Sequence, residues 1–168
     1  MIKTIRRRKV KHIIFAIILV CLSVSSALAD SQTASKDMKL LATATSWTNQ
    51  SGSVATFNFS PSSQPLTYTV TGHYINNNSS YKCRGTAYPL TGVYYVNTQT
   101  ISFSVSWSNS TEDCQSVTGW TGYFNLNQNP FSLTTNWNLA AAGGQITQGR
   151  DVFTMNTLKK SQGLIAQK

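Results

Sequence analysis

Residues 100–107 read Thr-Ile-Ser-Phe-Ser-Val-Ser-Trp, an alternation that puts Ile101, Phe103, Val105 and Trp107 on one parity and Ser102, Ser104 and Ser106 on the other. Successive side chains of an extended chain point to opposite faces, so this stretch predicts a β-strand buried on one side and solvated on the other. Outward from it lie further short runs of β-branched and aromatic residues: Ser46–Asn49, Ser53–Phe59, Leu66–Ile75, Ala87–Tyr95, Ser116–Phe124, Phe131–Leu139 and Gln148–Thr154. Gly52, Gly72, Gly92, Asn97-Thr98 and the Asn127–Pro130 stretch supply the breaks between them. No segment carries a helical stripe. Eight antiparallel strands at regular spacing predict an all-β domain, a sandwich or an up-and-down barrel. A closed barrel of about eight strands can hold one small ligand in its mouth.

The ends of the chain read differently. The 168 residues carry 14 Lys+Arg against 5 Asp+Glu, a formal charge of +9. Six of those positive charges are Lys3, Arg6, Arg7, Arg8, Lys9 and Lys11, and no acid precedes Asp30. An apolar run from Ile13 to Val20 follows, then small residues ending Ala27-Leu28-Ala29. A basic start, a short apolar core and an A-x-A site form a secretory signal peptide, expected over residues 1–29. The apolar run is too short for a stable membrane span. Val20 before Cys21 is too bulky for a lipidation site. Removing 29 residues and six charges from the formal totals leaves 139 residues at +3. That is one domain, secreted or periplasmic, without the basic density that grips nucleic acid and with no membrane attachment after cleavage. Residues 30–45 show no clear period and read as a flexible leader. Residues 46–154 form the predicted barrel, and 155–168 a loose C-terminal tail.

After cleavage two cysteines remain, Cys83 and Cys114, and an even pair in an exported chain reads as a disulfide. His73 is then the one histidine. With no HxxxH, no CxxC and no base beside a nucleophile, zinc chemistry and catalytic triads are not supported. Glu112, Asp113 and Asp151 are the acids of the barrel region, too few and too scattered for a glycosidase pair. The sequence therefore points away from an enzyme, and no metal or cofactor is expected.

Three clusters stand out: Trp47-Thr-Asn-Gln-Ser-Gly-Ser53, Gly72-His-Tyr-Ile-Asn76, and the run from Trp107 through Cys114, Ser116 and Thr118 to Trp120-Thr-Gly122. Trp137-Asn-Leu139 and Gly149-Arg-Asp-Val-Phe-Thr154 follow. In order and spacing this set resembles the avidin/streptavidin family over Ser46–Thr154. Tyr88-Pro-Leu-Thr-Gly92, with Cys83 five residues ahead, and Trp107-Ser-Asn-Ser-Thr-Glu-Asp-Cys114 resemble its dimeric, disulfide-containing branch, typified by rhizavidin.

The resemblance implies an eight-stranded antiparallel up-and-down β-barrel that binds biotin at one end. Asn49, Ser53 and Tyr74 match donors to the ureido oxygen, and Asp151 and Asn76 match acceptors for the two ureido N–H groups. Thr118 matches a hydroxyl near the thioether sulfur, and Ser116 one near the valerate carboxylate. Trp107, Trp120 and Trp137 match the aromatic walls. Tetrameric members receive a further Trp from a neighbouring subunit, on the segment that here reads Ala140-Ala-Ala-Gly-Gly-Gln-Ile-Thr-Gln-Gly149 and has none. A homodimer is the implied assembly, with the cysteine bridge at the pocket mouth in place of that lid. His73, beside Tyr74, would face outward by alternation.

Each residue alone has a plainer explanation: a Trp as core, Asn49 capping its own turn, Asp151 paired with Arg150 on the surface, the Glu112-Asp113 pair solvated. Their joint order carries the functional reading, a secreted protein that sequesters biotin. The alternative is the same barrel retuned to a peptide or a sugar, against which the intact Asn49, Ser53, Tyr74 and Asp151 set argues.

Overall fold

The structure is a computed structural model that describes residues 35–42 and 46–156. The expected signal peptide, half of the leader and the tail beyond residue 156 lie outside the described residues. Eight strands form a closed barrel in chain order: β1 (Ser46–Asn49), β2 (Val54–Pro61), β3 (Thr67–Ile75), β4 (Ala87–Tyr95), β5 (Thr100–Ser108), β6 (Asp113–Asn125), β7 (Ser132–Ala141) and β8 (Gln145–Asn156). Every neighbouring pair is antiparallel, and β1 closes the ring against β8. Closure leaves no free sheet edge, which an isolated sheet would expose to pairing with other chains.

The alternation that predicts β5 is realised residue by residue: Ile101, Phe103, Val105 and Trp107 are buried and the intervening serines exposed. The predicted β4 has the observed bounds, whereas β6 begins at Asp113 rather than Ser116 and β8 begins at Gln145 rather than Gln148. Neither extension contains a buried side chain, so alternation gives little signal there. The barrel also continues to Asn156, whose amide donates to Ser46 Oγ and Thr48 Oγ1, both at 2.8 Å. Inside residues 30–45, read as an aperiodic leader, residues 35–42 are helical and Leu41 is buried. Eight residues complete about two turns, too few to display a repeat.

The interior divides into two halves. Toward one end Trp47, Phe57, Phe59, Tyr94, Phe103 and Phe124 pack through tilted and edge-on ring contacts with centroids 5.1 to 6.4 Å apart. Toward the other end the inward positions are aromatic and polar together, and the core opens into a cavity. Phe103 and Trp120 join the halves, their rings stacked at 5.0 Å and 9°. The aromatic half thus forms the floor on which the cavity stands.

Candidate functional site

A cavity of about 500 Å³ enters the barrel from the end where β1 meets β2 and β3 meets β4. All ten residues singled out in the sequence line it: Asn49, Ser53, Tyr74, Asn76, Trp107, Ser116, Thr118, Trp120, Trp137 and Asp151. They come from six strands and the β1–β2 and β3–β4 turns. Inward parity aims Trp107, Thr118, Trp120 and Asp151, which occupy buried positions between exposed neighbours, and Tyr74, which lies between exposed His73 and half-buried Ile75.

One wall is built of donors. Asn49 Oδ1 accepts the backbone N–H groups of Ser51 (3.0 Å) and Ser53 (2.9 Å), so the amide cannot flip and its Nδ2 faces the cavity. That nitrogen lies 3.4 Å from the Tyr74 hydroxyl. Ser53 Oγ accepts the N–H of Asn77 at 3.0 Å, and its hydroxyl lies 3.4 Å from Asn76 Oδ1 and within reach of Tyr74. Burial, and then the facing Asp151 charge, hold the Tyr74 phenol protonated well beyond its ordinary range. Three O–H or N–H groups therefore cluster at this wall, able to donate to one acceptor.

Asp151 stands beside this cluster, on β8, the strand that pairs with β1. Trp120 Nε1 donates to its Oδ2 at 2.9 Å, and Gln50 Nε2 to its Oδ1 at 3.2 Å. Desolvation raises its pKa from the ordinary carboxylate value, opposed by hydrogen bonds from Trp120, Gln50, Asn49 and Trp137 in that order. Arg150, its neighbour on β8, is exposed on the outer face, so the expectation that would pair the two on the surface does not describe this residue. Asn76 is a more constrained acceptor than expected. Its Oδ1 already receives Asn78 N–H at 3.0 Å as well as the Ser53 hydroxyl, and its Nδ2 donates to Lys82 C=O.

Indoles complete the walls. Trp107 Nε1 donates to Thr118 Oγ1 at 2.7 Å, which fixes the ring and leaves the threonine hydroxyl hydrogen free for the cavity. Tyr74 stacks on Trp120 at 5.0 Å and meets Trp107 edge-on at 5.6 Å. Trp137 is half-buried and lies against Gly149, the residue paired with it across β7 and β8. Ser116 reaches the mouth because the β5–β6 register slips between Ser106 and Ser108, a bulge that pushes residues 114–116 outward opposite Trp107. The Cys83–Cys114 disulfide spans that mouth, tying the segment after β3 to β6, with both cysteines lining the cavity.

His73 is exposed, as alternation implies. Glu112 and Asp113 are exposed yet border the opening, where Tyr88 donates to Glu112 at 3.5 Å. Sequence reasoning missed Gln50, Tyr81, Lys82 and Leu139 as neighbours of the site. Gln50 sits inside a quoted motif, but its partners are about a hundred residues away and no local pattern marks them.

With this geometry in view, comparison with known proteins is decisive. The avidin family profile matches residues 37–156. The chain belongs to the avidin family. Hoefavidin from Hoeflea phototrophica is 51% identical over 146 residues, covering 84% of this chain and 89% of that protein. Afifavidin from Afifella pfennigii is 36% identical over 154 residues, covering 88% and 92%. Among solved structures, the rhizavidin–biotin complex superposes with a TM-score of 0.58 at 43% identity, covering 67% of this chain and 99% of that one. Family, barrel, strand order and disulfide all agree with the resemblance drawn from the motifs. Avidin-family proteins are non-enzymatic, which places this chain among binding proteins rather than catalysts.

Proposed function

We propose that this chain binds biotin, with the ureido ring at the closed end of the cavity and the valerate chain leaving past Ser116. The observation that carries this reading is one desolvated space into which three donors, Asn49 Nδ2, Ser53 Oγ and Tyr74 OH, converge and which also presents the acceptor Asp151. A cyclic urea presents the inverse pattern, one carbonyl oxygen flanked by two N–H groups. Donors converging on that oxygen polarise the ring, and the carboxylate strengthens the matching N–H. Each charge-assisted bond contributes roughly 1.5–3 kcal/mol. The indoles of Trp107, Trp120 and Trp137 exclude water around the bicycle, each able to bury roughly 150–250 Å². Thr118 has a hydroxyl free to approach the sulfur. A pre-built, disulfide-braced cavity carries little ordering cost on binding.

The physiological reading follows from the export signal at residues 1–29. The protein is exported to the periplasm or the medium, associates as a homodimer, and acts by sequestering biotin rather than transforming it. The absence of Trp from residues 140–149 supports the dimer, since no subunit has a tryptophan there to lend a neighbour. Calorimetric titration with biotin, beside Asp151→Ala, tests the binding reading. Wild type gives one site per chain and the variant is weakened; absence of heat with wild type overturns it.

A further inference from the structure

Gln50 lies at the first turn position after β1, is exposed, and would pass for an ordinary surface glutamine. Its carboxamide nevertheless makes three bonds across the barrel seam. Oε1 accepts the N–H of Val152 at 2.9 Å, and Nε2 donates to the C=O of Arg150 at 2.9 Å and to Asp151 Oδ1 at 3.2 Å.

The seam explains the arrangement. Backbone pairing between β1 and β8 runs from Ser46↔Asn156 to Asn49↔Phe153 and stops there, because β1 turns away at Gln50 while β8 continues. Residues 150 and 152 are left with outward-directed peptide groups on the β1 side. A strand neighbour would satisfy one C=O and one N–H flanking residue 151. The Gln50 amide does so instead, and its second N–H is then aimed at the side chain of the residue between them. Both ends of the carboxamide are committed, so it cannot flip without losing every bond.

We propose that Gln50 is a positioning residue for the ligand-binding acceptor: its side chain supplies the missing rung of the β1–β8 ladder and thereby pins Asp151 Oδ1 while Trp120 pins Oδ2. The carboxylate is gripped from both sides before any ligand arrives. Without Gln50 one oxygen loses its donor, the carboxylate can turn about its terminal torsion, and the buried charge loses one of the bonds that offset desolvation. The other groups around it are Trp120 from β6, Trp137 from β7, Asn49 from β1 and Tyr74 from β3; among the described residues Tyr74 is the titratable side chain set against it. The assignment rests on the biotin reading only for its effect on affinity.

The test uses Gln50→Leu, Gln50→Asn and Gln50→Glu, with Asn156→Ala as a variant of the same seam far from Asp151. The Asp151 carboxyl is followed by ¹³C NMR against pH in the ligand-free protein, alongside urea unfolding and biotin dissociation. In the leucine and asparagine variants the titration moves to higher pH, since asparagine is one methylene too short to span the three partners. In the glutamate variant it moves further, because a like charge replaces a donor. Unfolding midpoints stay near that of Asn156→Ala, whose Asp151 titration stays at the wild-type pH. Biotin leaves the leucine variant roughly tenfold faster, the loss of one hydrogen bond to a charged group. An unmoved Asp151 titration in all three Gln50 variants overturns the proposal, whatever happens to stability. A shifted titration in a protein that shows no biotin binding supports the Gln50 assignment and removes the functional one.

Discussion

Gly149→Ala tests whether the Trp137 wall is held in place by the bare backbone beneath it. The two residues are paired directly across β7 and β8, and a Cβ on residue 149 would lie 2.4 Å from Trp137 Cζ2, 2.7 Å from Cε2 and 3.1 Å from Nε1. Ordinary contact begins at 3.4 Å, so the indole must withdraw by about 1 Å. Strand β8 blocks it on one side, which leaves movement into the cavity. Overpacking of this kind costs about 1–3 kcal/mol. In affinity that is a weakening of roughly fivefold to a hundredfold, because the displaced ring occupies the space of the ligand. Backbone strain is not expected, since residue 149 has no left-handed conformation to maintain. The measurement is a biotin off-rate and Kd for Gly149→Ala, Trp137→Phe and the double variant. Phenylalanine lacks Cζ2 and Nε1, so the added methyl finds room and the double variant loses less than the two single effects combined. A coupling of roughly 0.5–3 kcal/mol is the range for side chains in contact. Unchanged affinity in Gly149→Ala, or strict additivity in the double variant, would refute the reasoning.

Three further outcomes follow from the same geometry. Trp120→Phe keeps the stacks on Phe103 and Tyr74 but deletes the donor to Asp151, and should weaken biotin about tenfold to a hundredfold while leaving far-UV dichroism intact; wild-type affinity would mean the indole N–H contributes nothing. Reduction of Cys83–Cys114, separated by 31 residues, should lower stability by about 3–4 kcal/mol on the loop-entropy account. Because both sulfurs line the mouth, it should also speed biotin release; equal off-rates with and without reductant would separate the bridge from ligand retention. Asp151 has its pKa raised by burial, so its contribution to the stability of the ligand-free protein is present below the unfolded carboxylate pKa and is lost as pH rises through the folded value. Biotin needs the ionised form, so affinity should fall as pH drops below that folded value, up to tenfold per unit. Urea midpoints and biotin affinity (the reciprocal of Kd) followed from acid to neutral pH should therefore run in opposite directions, and parallel profiles of these two would contradict the assignment.

What could be read in the sequence, and what could not, divides along one physical line. Strand parity is local, and in β3, β5 and the middle of β6 it aims Tyr74, Trp107, Thr118 and Trp120 inward without help from the rest of the fold. Closure of the sheet then brings the ten residues to one end, which no single strand foretells and which the order of motifs supplied through resemblance. The features that escaped are those made by partners distant in the chain. The bulge opposite Trp107 depends on how β5 meets β6, the shared burden on Asn76 Oδ1 depends on where the turn after β3 folds back, and the Gln50 rung exists only because β1 ends one residue before β8 needs a neighbour. An exposed side chain has no burial pattern to mark it, so nothing within the Trp47–Ser53 cluster sets Gln50 apart. Yet the group it holds is the buried carboxylate on which the proposed chemistry turns. In a closed barrel the first and last strands must meet, and a residue at that seam can reach the site from outside the wall. The interior positions establish what the cavity can recognise; the seam determines how firmly its one buried carboxylate is held.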